Sequence, residues 1–319
     1  MKSHPYTYLR LSVIDQCNFN CFYCQPSLRN HFLKDDERLS SSEILSVVRF
    51  LADYGIKHIR FTGGEPLLRA HLLDLVQEVA GVEGLECLSL TTNGLLLPSF
   101  CSKLKKNGIN KINISLDTLK EERFRRLTGV DALEKVRSAL LEAKKAGLAV
   151  VKLNCIIIKD FNDDEILDFV AFGQAHGIEV RFIEYFQTQG RCDASSFVHL
   201  STDDVKNIIQ KKYGTLELLG SDRHAGPAQY YRLKGEETRV GFISSVTEFF
   251  CGACNRLRLT SDGKLYPCLH SAYHVDLRKP LRQDNKAGVR ALIEEVFFNK
   301  KLYNKFYCPE SIEMSRIGG

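Results

Sequence analysis

Three cysteines near the start of the chain carry the most specific chemical pattern in the sequence. Cys17, Cys21 and Cys24 have the spacing C-x3-C-x2-C. Three thiolates in so short a loop can bind one face of a cubane [4Fe–4S] cluster, which usually takes four cysteines, so one iron stays open to an exogenous ligand. A structural zinc ion prefers four protein ligands, and no fourth ligand stands nearby in this loop. The spacing therefore favours an iron–sulfur cluster with an open iron.

A second group of three cysteines lies in the last third of the chain. Cys251, Cys254 and Cys268 have the spacing C-x2-C-x13-C. A turn signal at Asp262-Gly263 predicts a hairpin that returns Cys268 to the other two. On spacing alone, an iron–sulfur cluster and a zinc ion completed by a histidine are about equally favoured. The candidate histidines are His270 and His274.

Two arginines between these cysteines favour the cluster. Arg256 and Arg258 alternate with leucines, and residues i and i+2 of a strand point to the same face. Beside a cluster with an open iron, two permanently charged guanidinium groups can bind a polyanion such as a triphosphate in bidentate fashion. The second group is therefore predicted to hold a [4Fe–4S] cluster whose open iron can bind substrate.

Strand-like and helix-like segments alternate along the first half of the chain and must position these residues. Such alternation predicts a parallel sheet with right-handed crossovers, and six strands do not complete an eight-stranded barrel. We therefore expect an α/β fold, an incomplete (βα)6 TIM-like barrel that is open laterally. Ser40 and Glu43 predict a capping box at the start of the first helix. The predicted strands are 8–14, 58–62, 88–92, 111–116, 150–158 and 180–184, and the predicted helices are 40–54, 71–79, 98–107, 132–146 and 163–176.

Polar motifs follow the carboxyl ends of these strands, where barrel enzymes place their chemistry. The first cysteine loop follows the first strand. Gly63 and Gly64, which follow the second strand, would let backbone groups approach a ligand closely, because glycine has no Cβ. The sequence therefore predicts that the functional residues lie together at one end of the barrel. Besides the first cysteine loop, the motifs at this end are Gly63-Gly64-Glu65-Pro66, Thr91-Thr92-Asn93-Gly94, Ser115-Leu116-Asp117 and Glu184.

The alternation stops near Phe186, which predicts a division of the chain. We expect a partial barrel over residues 1–186. Residues 187–319 are expected to form a segment that carries the second cysteine group, contains a helix at 203–212 and packs against the barrel opening.

The composition excludes several classes of protein. The net charge of +5 suits an anionic small substrate but is too weak to indicate nucleic acid. No apolar stretch approaches the roughly 20 residues that span a bilayer, and the first residues lack the apolar core of a signal peptide. We therefore expect a cytoplasmic protein, in which disulfides are rare. Clustered cysteines among the 11 in this chain then indicate metal or cluster ligands.

The two cysteine groups and the sequence around them resemble the GTP 3′,8-cyclase family of radical S-adenosylmethionine (SAM) enzymes. The resemblance covers nearly the whole chain, and the aromatic Tyr23 before the third cysteine also matches the superfamily. The other matching stretches are 8–13 (YLRLSV), 60–66 (RFTGGEP), 113–117 (NISLD), 181–184 (RFIE), 241–244 (GFIS) and the final Gly318-Gly319.

The resemblance implies a lyase that performs the first step of molybdenum cofactor biosynthesis with two [4Fe–4S] clusters and SAM. A 5′-deoxyadenosyl radical would take hydrogen from C3′ of GTP, and the ribose radical would attack C8 of guanine. The product would be 3′,8-cyclo-7,8-dihydroguanosine 5′-triphosphate, which cyclic pyranopterin monophosphate synthase would then use. The resemblance further implies an electron donor such as flavodoxin or ferredoxin, is compatible with a homodimer, and implies no membrane or nucleic-acid partner.

The resemblance also assigns residues. Cys17, Cys21 and Cys24 would bind the first cluster, and Cys251, Cys254 and Cys268 the second. The positions that resemble SAM contacts are Tyr23, Gly64, Ser115 and Phe186, the last where the family often has methionine. The positions that resemble GTP contacts are Arg10, Arg60, Thr91, Lys152, Arg256, Leu257 and Arg258, of which Arg256 and Arg258 are also the catalytic candidates.

Physical arguments also apply to some of the positions that resemble GTP contacts. Arg10 and Lys152 lie in predicted strands, where a charge that faces inward is costly without a partner. A triphosphate would supply that partner, and the alternative is a solvated residue or an ordinary ion pair. The resemblance also implies that the Gly318-Gly319 tail reaches the active site, and the alternative is a frayed end.

Two other functions fit parts of the pattern. One is another radical SAM enzyme with an auxiliary cluster, of the peptide-modifying type, although such enzymes generally have a longer and cysteine-richer C-terminal region. The other is a non-catalytic zinc-binding or scaffold protein, which would be colourless and would hold two zinc ions.

Overall fold

The computed structural model describes residues 5–24, 32–185, 199–219, 226–248, 254–302 and 317–318. Three residues named above, Phe186, Cys251 and Gly319, lie outside these ranges. The described strands form one sheet of 12. Within these ranges, no helix is both long and apolar enough to cross a membrane.

Six parallel strands occupy the centre of the sheet in chain order. The predicted incomplete (βα)6 arrangement is thereby confirmed, as is the capping box of Ser40 and Glu43. The strands are β1 (Tyr8–Ser12), β2 (His58–Thr62), β3 (Cys87–Thr92), β4 (Ile109–Ser115), β5 (Val150–Ile157) and β6 (Glu179–Glu184). The helices are α1 (Ser41–Asp53), α2 (Leu72–Ala80), α3 (Cys101–Lys106), α4 (Glu121–Thr128), α5 (Leu133–Lys145) and α6 (Ile166–His176).

The later part of the chain extends this sheet at both edges. Its elements are α7 (Thr202–Tyr213), β7 (Leu216–Leu218), β8 (Gln229–Leu233), β9 (Arg239–Ile243), β10 (Arg256–Leu259), β11 (Lys264–Tyr266), β12 (Val275–Asp276), α8 (Arg278–Arg282) and α9 (Lys286–Leu302). Strand β9 pairs parallel to β6, and β10 pairs parallel to β1. Antiparallel strands continue outward to β7 and β12, which end the sheet, so the barrel is not closed. The predicted hairpin is the β10–β11 pair.

Side chains of the central strands alternate between two different surroundings. Leu9, Leu11 and Phe61 are fully buried and pack with the helices in the hydrophobic core. Arg10 and Arg60 stand between such residues in β1 and β2 and point to the other, inner face. A closed eight-stranded barrel fills its interior with branched apolar side chains. Here the alternation leaves a charged lumen where such a barrel has a packed core.

Helix α4 lies outside the predicted helices, and it anchors the first cysteine loop. Only Phe124 and Leu127 among its eight residues are both apolar and buried, too few to produce a clear helical period. Its last turn accepts two hydrogen bonds from the loop. Asn20 N donates to Thr128 O at 2.7 Å, and Phe22 N donates to Leu127 O at 3.3 Å. The loop backbone is therefore fixed on the helix side as well as by the strand that precedes it.

Candidate active site

The loop after β1 holds the three cysteines of the first group. A turn closed by the hydrogen bond from Cys24 N to Cys21 O, 3.0 Å long, brings these two residues together. Cys17, Cys21 and Cys24 are all partly buried free thiols. Burial raises the pKa of Cys17 to about 11 and that of Cys24 to about 12. Three free thiols in one loop can nevertheless supply the thiolate ligands of a [4Fe–4S] cluster, which would displace their protons when it binds.

The glycine pair after β2 packs against the backbone that leads into this loop. Gly64 N donates to Ile14 O at 2.7 Å, and Glu65 N donates to Gln16 O at 2.8 Å. A Cβ added to Gly64 would lie 2.1 Å from Gln16 O, and one added to Gly63 would lie 2.2 Å from Ile14 O. The sequence predicts close approach to a ligand here. The structure shows that both glycines are needed for close approach of two protein backbones.

Glu65 is the centre of a buried network that reaches the first cysteine. Its carboxylate accepts hydrogen bonds from Thr92 Oγ1 at 2.7 Å and from Asn93 N at 2.8 Å. Asn93 Nδ2 in turn donates to Asn18 Oδ1 at 2.6 Å and to Cys17 Sγ at 3.8 Å. Burial raises the pKa of Glu65 to about 7. In the sequence, only the position of Glu65 directly after the glycine pair indicated that it supports the first cysteine loop.

Tyr23 and Asp117 join the cysteine loop to the end of β4. The Tyr23 hydroxyl donates to Asp117 Oδ2, and Ile156 N donates to Asp117 Oδ1 at 2.7 Å. Burial raises the pKa of Asp117 to about 6. Ser115, the other predicted residue of this motif, is partly buried at the last position of β4. The arrangement brings Tyr23 and Ser115 to the same end of the barrel as the first cysteines.

Three arginines lie side by side on the inner face of the sheet. Arg10 is level with Arg258 on one side and with Arg60 on the other, and neighbouring strands are about 4.8 Å apart. Burial and then the charge of Arg258 hold the pKa of Arg10 well below its usual value. Burial and the charge of Arg256 lower the pKa of Arg258 to about 10. Both shifts express the free-energy cost of gathering like charges in a buried site, which a bound polyanion offsets.

Two more of the predicted residues flank this row. Arg60 donates from Nε to the Tyr8 hydroxyl and from Nη1 to Thr91 Oγ1, the second bond being 3.2 Å long. Arg60 and Thr91 are therefore already brought together. Leu257 is fully buried in the hydrophobic core, on the face opposite to the arginines. Only the backbone of Leu257 could contact a ligand in the lumen.

Lys152 has internal partners on the far side of the lumen. Its Nζ lies 2.7 Å from Glu179 Oε2 and donates to the Tyr230 hydroxyl at 2.7 Å. Arg239 also pairs with Glu179. The ordinary ion pair, raised above as the alternative to a triphosphate partner, is therefore present at Lys152.

Arg181 lies in the same lumen and was missed in the set of predicted binding residues. Its side chain projects from β6 between the buried Val180 and Phe182. Burial lowers the pKa of Arg181, and its Nε and Nη2 have no hydrogen-bond partner in the part of the chain that the structure describes. The sequence does contain a signal for Arg181: like Arg60 in β2, it stands between two apolar residues of a strand.

Cys254 and Cys268 lie at the end of the barrel strands opposite to the first cysteine group. Cys254 precedes β10 and Cys268 follows β11, and these strands form the hairpin. Asn255, next to Cys254, accepts a hydrogen bond from Thr7 N at 3.1 Å, just before β1 begins. The first group follows the end of β1, which spans five residues, or about 16 Å. Cys254 and Cys268 therefore do not share the carboxyl end of the strands with the first group, and the lumen lies between.

The thiols of the two groups differ in their electrostatic surroundings. Burial opposes ionisation of Cys254, but the charges of Arg256 and Lys300 lower its pKa to about 7. Burial raises the pKa of Cys17, and the charge of Glu65 raises it further. Cys251 lies outside the described residues.

Residues 317–318 enter the lumen beside the arginine row. Arg258 Nη1 donates to Ile317 O at 3.4 Å and also to Gly318 O. A Cβ added to Gly318 would lie 2.3 Å from Thr62 Cγ2, and its φ is +80°, a region that favours glycine. The position of Gly318 between Arg258 and Thr62 thus requires glycine.

The fold and the first cysteine loop define the class of protein. Residues 11–173 match the model of the Radical SAM superfamily, and residues 178–306 match the model of Molybdenum Cofactor Synthesis C. Streptococcus suis SuiB bound to S-adenosylmethionine has a TM-score of 0.65 at 14% identity, over 90% of this chain and 67% of that chain. Native anSMEcpe with bound AdoMet has a TM-score of 0.60 at 18% identity, over 94% and 84%. At these identities the structures share the fold alone, that of a radical SAM enzyme.

Sequence relatives narrow the class to one family. The chain is 42% identical over 314 residues to the GTP 3′,8-cyclase of Peptoclostridium acidaminophilum, which covers 98% of this chain and 95% of the relative. It is 42% identical over 314 residues to that of Thermodesulfovibrio yellowstonii, at 98% and 97% coverage. The chain belongs to the GTP 3′,8-cyclase family. It is a radical SAM cyclase of molybdenum cofactor biosynthesis, with SAM and [4Fe–4S] clusters as cofactors, which confirms the resemblance described above.

Gly64→Ala is expected to destabilise the protein even without cofactors, because the added Cβ would meet Gln16 O. Forced overpacking costs about 1–3 kcal/mol, so the thermal midpoint of the iron-free variant should fall, and reconstitution should yield about four irons in place of about eight. Gly81→Ala is the control, since its nearest neighbour would be 3.5 Å away. An unchanged midpoint of the iron-free Gly64→Ala protein would contradict the backbone-packing role.

Proposed function

We propose that GTP binds in the lumen between the two cysteine groups, with its triphosphate on the row of Arg10, Arg60 and Arg258. The row is the observation that carries this proposal, because one buried and two partly buried guanidinium groups in register favour an anion of high charge. The guanine base would then face the second cysteine group, next to Arg256.

Other residues would complete the substrate site. Thr91 can bind beside Arg60, to which it is already hydrogen-bonded, and Arg181 can use its two unsatisfied nitrogens. Lys152 would have to exchange its bond to Glu179 for one to phosphate. Leu257 would contribute backbone contacts. Arg256 and Arg258 are proposed as the catalytic pair because they hold the charge of the substrate while the ribose reacts.

We assign SAM to the end of the lumen near Cys17, Cys21 and Cys24. Reductive cleavage of SAM at the first cluster supplies the radical that starts the cyclisation. Gly64 and Ser115 lie at this end of the barrel and would contact SAM, as would Phe186. Tyr23 would do so through its backbone or ring, since its hydroxyl is held by Asp117. Cleavage at one end and guanine binding at the other would place the ribose between them.

We further propose that Cys251, Cys254 and Cys268 bind the second cluster. Residues 1–186 would form the radical SAM partial barrel and residues 187–319 the auxiliary-cluster segment. The two adjacent family matches support a division near this point. The continuous sheet indicates that the two parts form one structural unit.

The remaining partners are proposals that follow from the reaction. GTP is the substrate, and a cyclic pyranopterin monophosphate synthase would take the product, 3′,8-cyclo-7,8-dihydroguanosine 5′-triphosphate. A flavodoxin or ferredoxin would reduce the first cluster, and the enzyme could work as a homodimer. A cytoplasmic location suits the eight free thiols among the described residues.

The function is tested by incubating the reconstituted protein anaerobically with SAM, dithionite and GTP. We expect 5′-deoxyadenosine and a cyclised GTP product in mass spectra, the latter only when GTP is present. Deoxyadenosine without a GTP product, even with both clusters bound, would contradict the cyclase assignment and favour a peptide-modifying enzyme.

The two cysteine groups are proposed to have different roles, so their cysteine variants should lose different activities. Cys21→Ala should abolish SAM cleavage, because the first cluster loses a ligand. Cys254→Ala should retain much of the SAM cleavage but lose GTP turnover. Both are measured by deoxyadenosine and product formation in the same assay. Equal loss of SAM cleavage in the two variants would contradict this division.

Arg258→Ala should weaken GTP binding by about tenfold to a hundredfold, because a charged hydrogen bond contributes about 1.5–3 kcal/mol. Iron content should not change. Arg290→Ala is the matched control, since Arg290 pairs with Asp53 at the surface. Equilibrium binding of GTP measures the effect, and an affinity equal to that of Arg290→Ala would exclude Arg258 from the site.

A further inference from the structure

Lys300, near the end of α9, lies against the second cysteine group, and neither the sequence motifs nor the resemblance assigns it a role. Its Nζ donates to Pro267 O at 2.6 Å, to Arg256 O at 2.7 Å and to Cys254 Sγ at 3.7 Å. Two carbonyl oxygens and a sulfur are all acceptors, which suits an ammonium group with three N–H donors and no acceptor. Each of the three donors therefore has one partner.

These partners belong to both chain segments that carry the second cysteines. Arg256 O is two residues beyond Cys254, and Pro267 O immediately precedes Cys268. By bonding both carbonyls, the ammonium group holds the two segments at a fixed separation. Lys300 thus acts on the position of the two thiols as well as on the charge next to one of them.

The position of Lys300 is itself fixed by packing. Phe297, one turn earlier in α9, is fully buried and stacks on Tyr6 with ring centroids 5.7 Å apart. Lys300 Nζ lies 5.1 Å from the centroid of the same Tyr6 ring, within range of a cation–π interaction. The lysine stem cannot swing freely into the lumen without losing these contacts.

We propose that Lys300 is a positioning residue for the auxiliary cluster, and that its charge and its hydrogen bond to Cys254 raise the reduction potential of that cluster. Reduction adds negative charge to the cluster and its thiolates, so an adjacent fixed cation stabilises the reduced form. Hydrogen bonds to the ligating sulfurs act in the same direction. The inference rests on the proposed binding of the second cluster by Cys254 and Cys268.

The first cysteine group provides the internal comparison. There, among the described residues, the donors to Cys17 Sγ are neutral: the side-chain amide of Asn93, 3.8 Å away, and the backbone N of Phe19, 3.4 Å away. The same one-electron chemistry would therefore occur beside a neutral donor at one end of the lumen and beside a cation at the other. Removing the cation should affect only the second cluster.

The test is a redox titration of the reconstituted full-length protein followed by electron paramagnetic resonance, with the auxiliary signal assigned in Cys21→Ala. In Lys300→Met, we expect the ratio of reduced to oxidised auxiliary cluster at a fixed potential to fall about tenfold, a shift of about 59 mV for one electron. The first cluster should keep its potential, and the iron content should stay at about eight. Lys286→Met is the charge control, because Lys286 is exposed and lies about 21 Å away along α9.

If Lys300→Met binds only one cluster, the measurement is made on Lys300→Gln, since glutamine keeps a donor to the carbonyls but has no charge. In Lys300→Gln the ratio of reduced to oxidised auxiliary cluster should also fall about tenfold. An auxiliary potential equal to that of Lys286→Met, in either loaded variant, would overturn the role of Lys300 and leave the proposed function intact. A native protein with about four irons and no auxiliary signal would overturn the second cluster and this inference together.

Discussion

Repulsion among the guanidinium groups of Arg10, Arg60 and Arg258 is the constraint on which the rest of this structure depends. A row of like charges on one face of a sheet is tolerable only if that face lines a polar space that can hold an anion. The lumen is therefore lined with charge and cannot be packed as in a closed barrel. Because β10 supplies one member of the row, the C-terminal segment would contribute to the proposed substrate site as well as carry the proposed second cluster.

The lumen is bounded at each end by a cysteine group that backbone contacts hold in place. At one end, Gly63 and Gly64 pack on the segment that leads into the first loop, and α4 accepts hydrogen bonds from the loop itself. At the other end, the β10–β11 hairpin and the hydrogen bond from Thr7 to Asn255 hold Cys254 and Cys268. Groups fixed in this way need little reorganisation when cofactors and substrate bind.

The sequence was most informative where a signal is local. The six central strands and the capping box of Ser40 follow from periodicity and short-range chemistry, and the spacing of the first cysteine group indicated its kind of cofactor. Helix α4 was missed because its apolar residues are too few, and β7 to β9 were also missed, of which only the three-residue β7 is an edge strand. Spacing could not show that the second group lies at the amino end of β1, since this depends on pairing between distant segments. The partners of Lys152 and the burial of Arg181 depend on tertiary packing in the same way.

The pairing of β1 with β10 also bears on how the chain reaches its native state. Tyr8 is level with Arg256, so the first strand of the chain gains its second neighbour only after most of the protein has been synthesised. Contacts between such distant residues form slowly because a long loop must close first. Until then, β1 and β6 are both exposed sheet edges, which are templates for pairing with other chains. The newly made barrel is therefore most vulnerable to aggregation before its last third emerges from the ribosome.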